Sequence, residues 1–234
     1  MEAPEELERQ IADCDAILAA GGDAGDRERQ VDVARALVAK GVALAGLRRV
    51  DEAVACHEEV VARFGDAEDL ALRLRVALAL GNIAYDRSEE GRHDEGRRDE
   101  ALAVLADVVA RGAGDDDPDI HRYVGSALTD TAELLHGDDP EGAIAALDAL
   151  LARFGDLTDP NMRILVAAAL ARRGRYLEDQ GRAREALATY RDLRDRFPRS
   201  EGPSVDRHVA YGMQRAAALA ARPAERLRRR LGRR

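Results

Sequence analysis

The chain has no tryptophan, only 3% aromatic residues, two cysteines, two asparagines and a single lysine among 234 residues. So few rings argue against a β-sandwich or barrel core. Ala, Leu, Val and Arg dominate instead, and all but Val are good helix formers. Helices lined by alanine can approach closely, so the composition suits an all-helical stack. Lys40 is the one lysine among 36 basic residues. That bias resembles a GC-rich bacterial genome and concerns codons rather than function. No apolar run approaches the roughly 18–20 residues needed to cross a bilayer. The opening segment MEAPEELERQ is acidic and polar, unlike the basic start and apolar core of a secretory signal. Cys14 and Cys56 lie at the apolar spacing of their segments and read as small buried hydrophobes, with a disulfide or a two-cysteine metal site as the alternative. A reduced, cytoplasmic protein is expected.

The side chains of catalysis are also thin. His57, His93, His121, His136 and His208 are scattered, and neither HxxxH nor CxxC occurs. No glycine pattern for phosphate follows a strand, and serine is scarce with no nucleophile elbow. The acidic run GDDDPD over 114–119 lacks the spacing and glycine of a calcium loop and reads as helix capping. We therefore expect no enzyme, no cofactor and no metal.

What the chain does have is repetition. DEAVACHEEVVARFGD from Asp51, DEALAVLADVVARGAGD from Asp99, EGAIAALDALLARFGD from Glu141 and REALATYRDLRDRFPRS from Arg184 are copies of one phrase. A fainter copy starts at Ile11. Equivalent positions are Gln10, Ala53, Ala101, Ala143 and Ala186, with gaps of 43, 48, 42 and 43. A fixed period of about 20–50 residues marks a solenoid or similar array. Within the copy from Asp51, Val54, His57, Val60, Val61 and Phe64 fall on one helical face. Ala/Leu-rich stretches of the same periodicity lie between the copies. The reading is ten helices: an unpaired helix over 4–20, repeats over about 28–65, 67–112, 118–155 and 159–198, and a last helix over 203–221. Pro118, Pro140, Pro160 and Pro203 each open a helix, where a missing N–H costs nothing. Asp117, Asp139 and Asp159 precede three of them as N-caps. Phe64, Phe154 and Phe197 share one repeat position, at the end of each pair's trailing helix, and read as wedges between repeats. The long gap comes from the polar segment DRSEEGRHDEGRR over 86–98. A solvated surface loop is expected there, with closure over a groove as the alternative.

The stretch Leu170–Pro198 resembles a tetratricopeptide repeat. Leu170, Gly174, Leu177, Ala186, Tyr190 and Pro198 supply the apolar, small, large, alanine, aromatic and late-proline positions of that pattern. Leu37, Gly41, Leu44 and Ala53 do the same earlier, with His57 for the aromatic and Gly65 for the proline. Thr131 and Leu147 depart from the pattern in the copy at Glu141, and Gly81 and Ala101 keep it in the copy at Asp99. The small residue is expected to let the paired helices touch backbone to backbone. The period exceeds the family's usual 34 residues and is nearer kinesin-light-chain-like repeats, while HEAT-type repeats of about 40–47 residues are the rival.

The resemblance implies a right-handed α-solenoid of antiparallel helix pairs that holds a peptide or partner protein on its concave face without catalysis. The leading helices would line that face with Arg35, Arg75, Asn82, Tyr85, Leu128, Arg172, Arg175 and Asp179. Arg and Asn can grip a peptide backbone or carboxylate. The chain opens on a trailing-type helix, so self-association through that end, or membership of a larger array, is a further expectation. Residues 222–234 carry seven Arg and one Glu, against a net −15 over 1–221. The acidic body disfavours general nucleic-acid binding. The tail itself reads as a soluble terminus, a strap for an acidic surface, or a contact for nucleic acid or anionic lipid.

Overall fold

The computed structural model describes residues 3–20, 26–90 and 95–231, with side chains over 3–20, 26–87 and 96–221. Among the described residues there are ten helices and no strand. They are α1 Pro4–Ala19, α2 Arg27–Gly46, α3 Val50–Phe64, α4 Leu70–Glu90, α5 Glu95–Arg111, α6 Pro118–Leu135, α7 Pro140–Phe154, α8 Pro160–Asp179, α9 Ala183–Arg196 and α10 Pro203–Leu231. The starts follow the sequence chemistry. Asp117 accepts from the amides of Asp119 and Ile120, Asp139 from Gly142, and Asp159 from Asn161 and Met162. Asp26 and Asp69 cap α2 and α4 in the same way.

The polar segment 86–98 departs from the expected loop. The helix α4 continues to Glu90 and α5 begins at Glu95, so the extra residues mostly lengthen two helices; 91–94 lie outside the described residues. Polarity alone does not stop a helix, and Ser, Glu and Arg are tolerated inside one. Arg87 reaches both Glu58 at 3.8 Å and Glu100 at 3.4 Å from within the segment. The last helix likewise runs past its expected end at 221 to Leu231, because the Arg, Ala and Leu that follow are helix formers.

The chain divides into two compact units, Met1–Ala127 and Leu128–Arg234, with the boundary inside α6. In the first unit α1 packs on α2, α2 on α3, α3 on α4 and α4 on α5; α2 also packs on α4. In the second, α7 packs on α8, α8 on α9, and α10 on both α8 and α9. The pairs α2–α3, α4–α5 and α8–α9 are thus each a leading and a trailing helix turned back by a few residues, and the leading helices α2 and α4 touch.

The repeat alanines make this possible. Ala53, Ala101, Ala143 and Ala186 are all fully buried. The small residue on the leading helix serves a purpose other than backbone contact. A Cβ at Gly174 would fall on the Tyr190 ring, under 3 Å from three of its carbons, and one at Gly41 would meet the His57 ring equally closely. The glycine is a seat for the ring of the trailing helix. Phe64, Phe154 and Phe197 are buried as the wedge reading expects.

A link between successive pairs recurs in both units. Arg111 Nη1 donates to the Gly65 carbonyl at 2.7 Å and its Nε to Asp107 at 2.8 Å. Arg196 Nη1 donates to the Gly155 carbonyl at 3.1 Å and its Nε to Asp192 at 2.9 Å. Each arginine satisfies a carbonyl orphaned at the end of the preceding trailing helix.

Candidate functional site

In the first unit the leading helices α2 and α4 lie side by side. Val42 on α2 and Tyr85 on α4 are equivalent positions, as far apart in sequence as the caps Asp26 and Asp69; Arg35 lies on the α2 face and Arg75, Leu78 and Asn82 on the α4 face, whereas Val38, expected there too, is buried. Arg35 is exposed and its Nη2 donates to Asp32 at 2.8 Å. Arg75 is half-buried, and its Nε has no hydrogen-bond partner. Val42 is 54% exposed and Tyr85 65% exposed, more than any other large apolar side chain among the described residues.

Asn82 turns inward. Its Nδ2 donates to His57 Nε2 at 3.3 Å, which requires that nitrogen to be unprotonated. Burial holds the His57 imidazole neutral, with its pKa lowered to about 4. Asn82 therefore orients a ring of the helix-pair interior.

In the second unit, Leu128 on α6 is buried. Arg172 on α8 binds Glu133 of α6, Nε to Oε1 at 2.7 Å. Asp179 pairs with His136 Nε2 at 3.2 Å. The His136 ring stacks on the buried Tyr176, centroids 3.8 Å apart. Arg175 is exposed and places its guanidinium 5.0 Å from the Tyr176 ring centroid. Arg172 with Glu133 and Asp179 with His136 thus join α8 to α6 and the residue that follows it. Burial and the neighbouring Arg172 and Arg207 depress the His208 pKa on α10.

Sequence reasoning missed two clusters. One is the Arg111 and Arg196 links, whose signal was present as an arginine at one position of every copied phrase. The other joins α8, α9 and α10. The Glu178 side chain is 4% exposed, accepts from Tyr190 Oη at 2.8 Å and binds Arg215 through two nitrogens at 2.7 and 3.0 Å. Tyr211 meets Tyr190 edge-on. Nothing periodic marks Glu178, whose burial depends on where α10 lands.

Among the described residues no group of His, Cys, Asp or Glu is arranged to hold a metal ion. Cys14 is buried and Cys56 half-buried, both unbridged, and burial raises the pKa of each thiol. No described helix is long and apolar enough to cross a membrane. The chemistry offered is that of surfaces: arginine donors beside exposed apolar side chains.

Residues 168–200, from within α8 through α9, match the tetratricopeptide repeat family model. The chain thus contains a tetratricopeptide repeat at the place where the pattern is most complete. No curated protein and no solved structure matches it.

Proposed function

We propose that this protein is a non-catalytic scaffold that holds a peptide segment of a partner protein on the leading-helix face of α2 and α4. Tetratricopeptide repeats generally mediate protein–protein interactions, and residues 168–200 supply the family match. The observation that carries the assignment is the pair of exposed apolar side chains, Val42 and Tyr85, on that one face. Arg35 and Arg75 stand on the same face, suited to backbone carbonyls or carboxylates of an extended peptide. In the second unit Arg172, Arg175 and Asp179 offer a polar surface of their own for a partner, and Leu128 is buried and would act by supporting α6.

The test is selection of peptides from a displayed random library against the full chain. The chain without residues 222–234 is measured in parallel. Val42→Asp with Tyr85→Asp should weaken the selected peptides by tenfold or more, about 1.4 kcal/mol, without changing the helical circular dichroism. Unchanged affinity in that variant would place the site elsewhere. Loss on removing the tail alone would assign recognition to the arginine-rich terminus.

A further inference from the structure

At the wedge position, eleven residues beyond the repeat alanine, three copies have Phe64, Phe154 and Phe197, and the fourth has Gly112. The three phenylalanines are 7%, 1% and 3% exposed. Each carries a guanidinium near its ring: Arg63 at 5.5 Å, Arg153 at 5.0 Å and Arg163 at 4.4 Å from the centroid. Beside Gly112 the structure has a cavity of about 220 Å³, partly open to solvent, bounded by α4, α5, α6 and the α3–α4 connection. Its apolar wall includes Val76, Leu80, Val108 and Val124, and Arg73 and Arg111 line it as well.

The correspondence with the second unit is close. There Arg163, on the leading helix α8, bridges Glu201 beyond the end of α9 and lies over the Phe197 ring. In the first unit Arg73, at the matching place on α4, bridges Asp115 beyond the end of α5 and lines the cavity. Arg111 is likewise the repeat equivalent of Arg63 and Arg153. The guanidinium groups that face a phenylalanine elsewhere are present here around a cavity. A Cβ on Gly112 would strike Val124, so residue 112 cannot supply the ring itself.

We propose that this cavity binds one phenyl ring, presented by a phenylalanine side chain of another polypeptide. All three phenylalanines of this chain are buried, so a second copy does not provide it. A dry apolar cavity of about 150 Å³ accepts benzene, so this volume holds a phenylalanine side chain with room for its Cβ. Arginine beside the ring favours an aromatic over a saturated side chain. The site is separate from the Val42–Tyr85 face and stands whether or not that face binds peptide.

The experiment titrates N-acetyl-L-phenylalaninamide into the isotope-labelled full chain and follows the amides of Val108, Gly112 and Val124. Saturable shifts are expected, with a dissociation constant on the order of 1 mM. N-acetyl-L-cyclohexylalaninamide should bind roughly threefold more weakly, and Arg73→Gln should remove that preference. Ala77→Leu, which extends into the cavity, should abolish binding and raise the melting midpoint by about 2–4 °C. Absence of saturable shifts up to the solubility limit overturns the proposal, as does undiminished binding by a folded Ala77→Leu. Saturation by benzyl alcohol but not by the amide would overturn assignment to a polypeptide. If Ala77→Leu does not fold, equal affinity for the two amides in wild type decides against it.

Discussion

In the α8–α9 pair the Tyr190 ring lies on Gly174, and its hydroxyl donates to the buried Glu178. In the α4–α5 pair a leucine, Leu105, stands at the tyrosine's repeat position, and the buried Ala84, as far beyond the cap Asp69 as Gly174 is beyond Asp159, takes the glycine's place; Gly81, one turn earlier, faces open space. The former pair ends in Phe197, the latter in Gly112 beside a cavity. Both bury their repeat alanine completely, Ala186 and Ala101. The alanine is therefore the common requirement of the fold, since it sets how near the helices come. Glycine is required only where a ring must be seated.

The shared position should give the largest effect. Ala101→Glu and Ala186→Glu would each bury an unpaired carboxylate and should cost about 4 kcal/mol or more in denaturant unfolding. Tolerance of either one would break the equivalence of the two pairs.

Replacing the ring changes the pH response. The α2–α3 pair has His57 where α8–α9 has Tyr190. Burial lowers the His57 pKa from 6.5 to about 4, whereas burial and Glu178 raise that of Tyr190. The unfolded chain takes up the imidazole proton first as pH falls. The His57 contribution is therefore complete above pH 6.5 and is lost progressively toward pH 4, by up to about 3 kcal/mol. Denaturant midpoints of wild type and His57→Tyr across that range should diverge, with the variant lacking this decline. Parallel curves would show that His57 is accessible to protons in the folded state.

The glycines should respond with opposite signs. Gly174→Ala would press on a buried ring and should cost about 1–2 kcal/mol. Gly81→Ala, inside a helix and facing open space, should stabilise by about 0.5–1 kcal/mol. Losses of equal size would mean that Gly81 is packed against a neighbour as closely as Gly174 is against Tyr190.

The smallest difference lies in the turns. Arg48 has φ 63° where its repeat equivalent Gly181 has φ 74°. Both turns close with the same long-range amide bonds, Arg49 to Leu44 and Arg182 to Leu177. Arg48→Gly should raise stability by about 0.5 kcal/mol as it removes the left-handed strain. A loss would show that the Arg48 side chain makes a compensating contact.

Much of this was legible beforehand because it depends on local chemistry. The helix starts at Pro118, Pro140 and Pro160 and their aspartate caps rest on missing or orphaned amides, which neighbouring residues fully determine. The burial of the repeat alanines and phenylalanines followed from periodicity. The candidate face was readable only as a row of positions. That Val42 and Tyr85 are exposed, while Asn82 turns to His57 and Leu128 is buried, depends on how adjacent helices meet. At 86–90 and 95–98 the structure has helix where the polar composition suggests a loop, because hydrophilicity does not prevent a helix.

The sequence by itself determined that the chain is all helical, where most helices start and which of their faces are buried, because each comes from spacing, caps and alanine content along a short stretch. Tertiary structure alone decided which glycine seats a ring, where Arg73, Arg111 and Arg196 reach, and that a cavity adjoins Gly112. Those outcomes depend on contacts between residues some 40 positions apart, such as Arg111 with Gly65 and Arg163 with Phe197, and no local rule sets them.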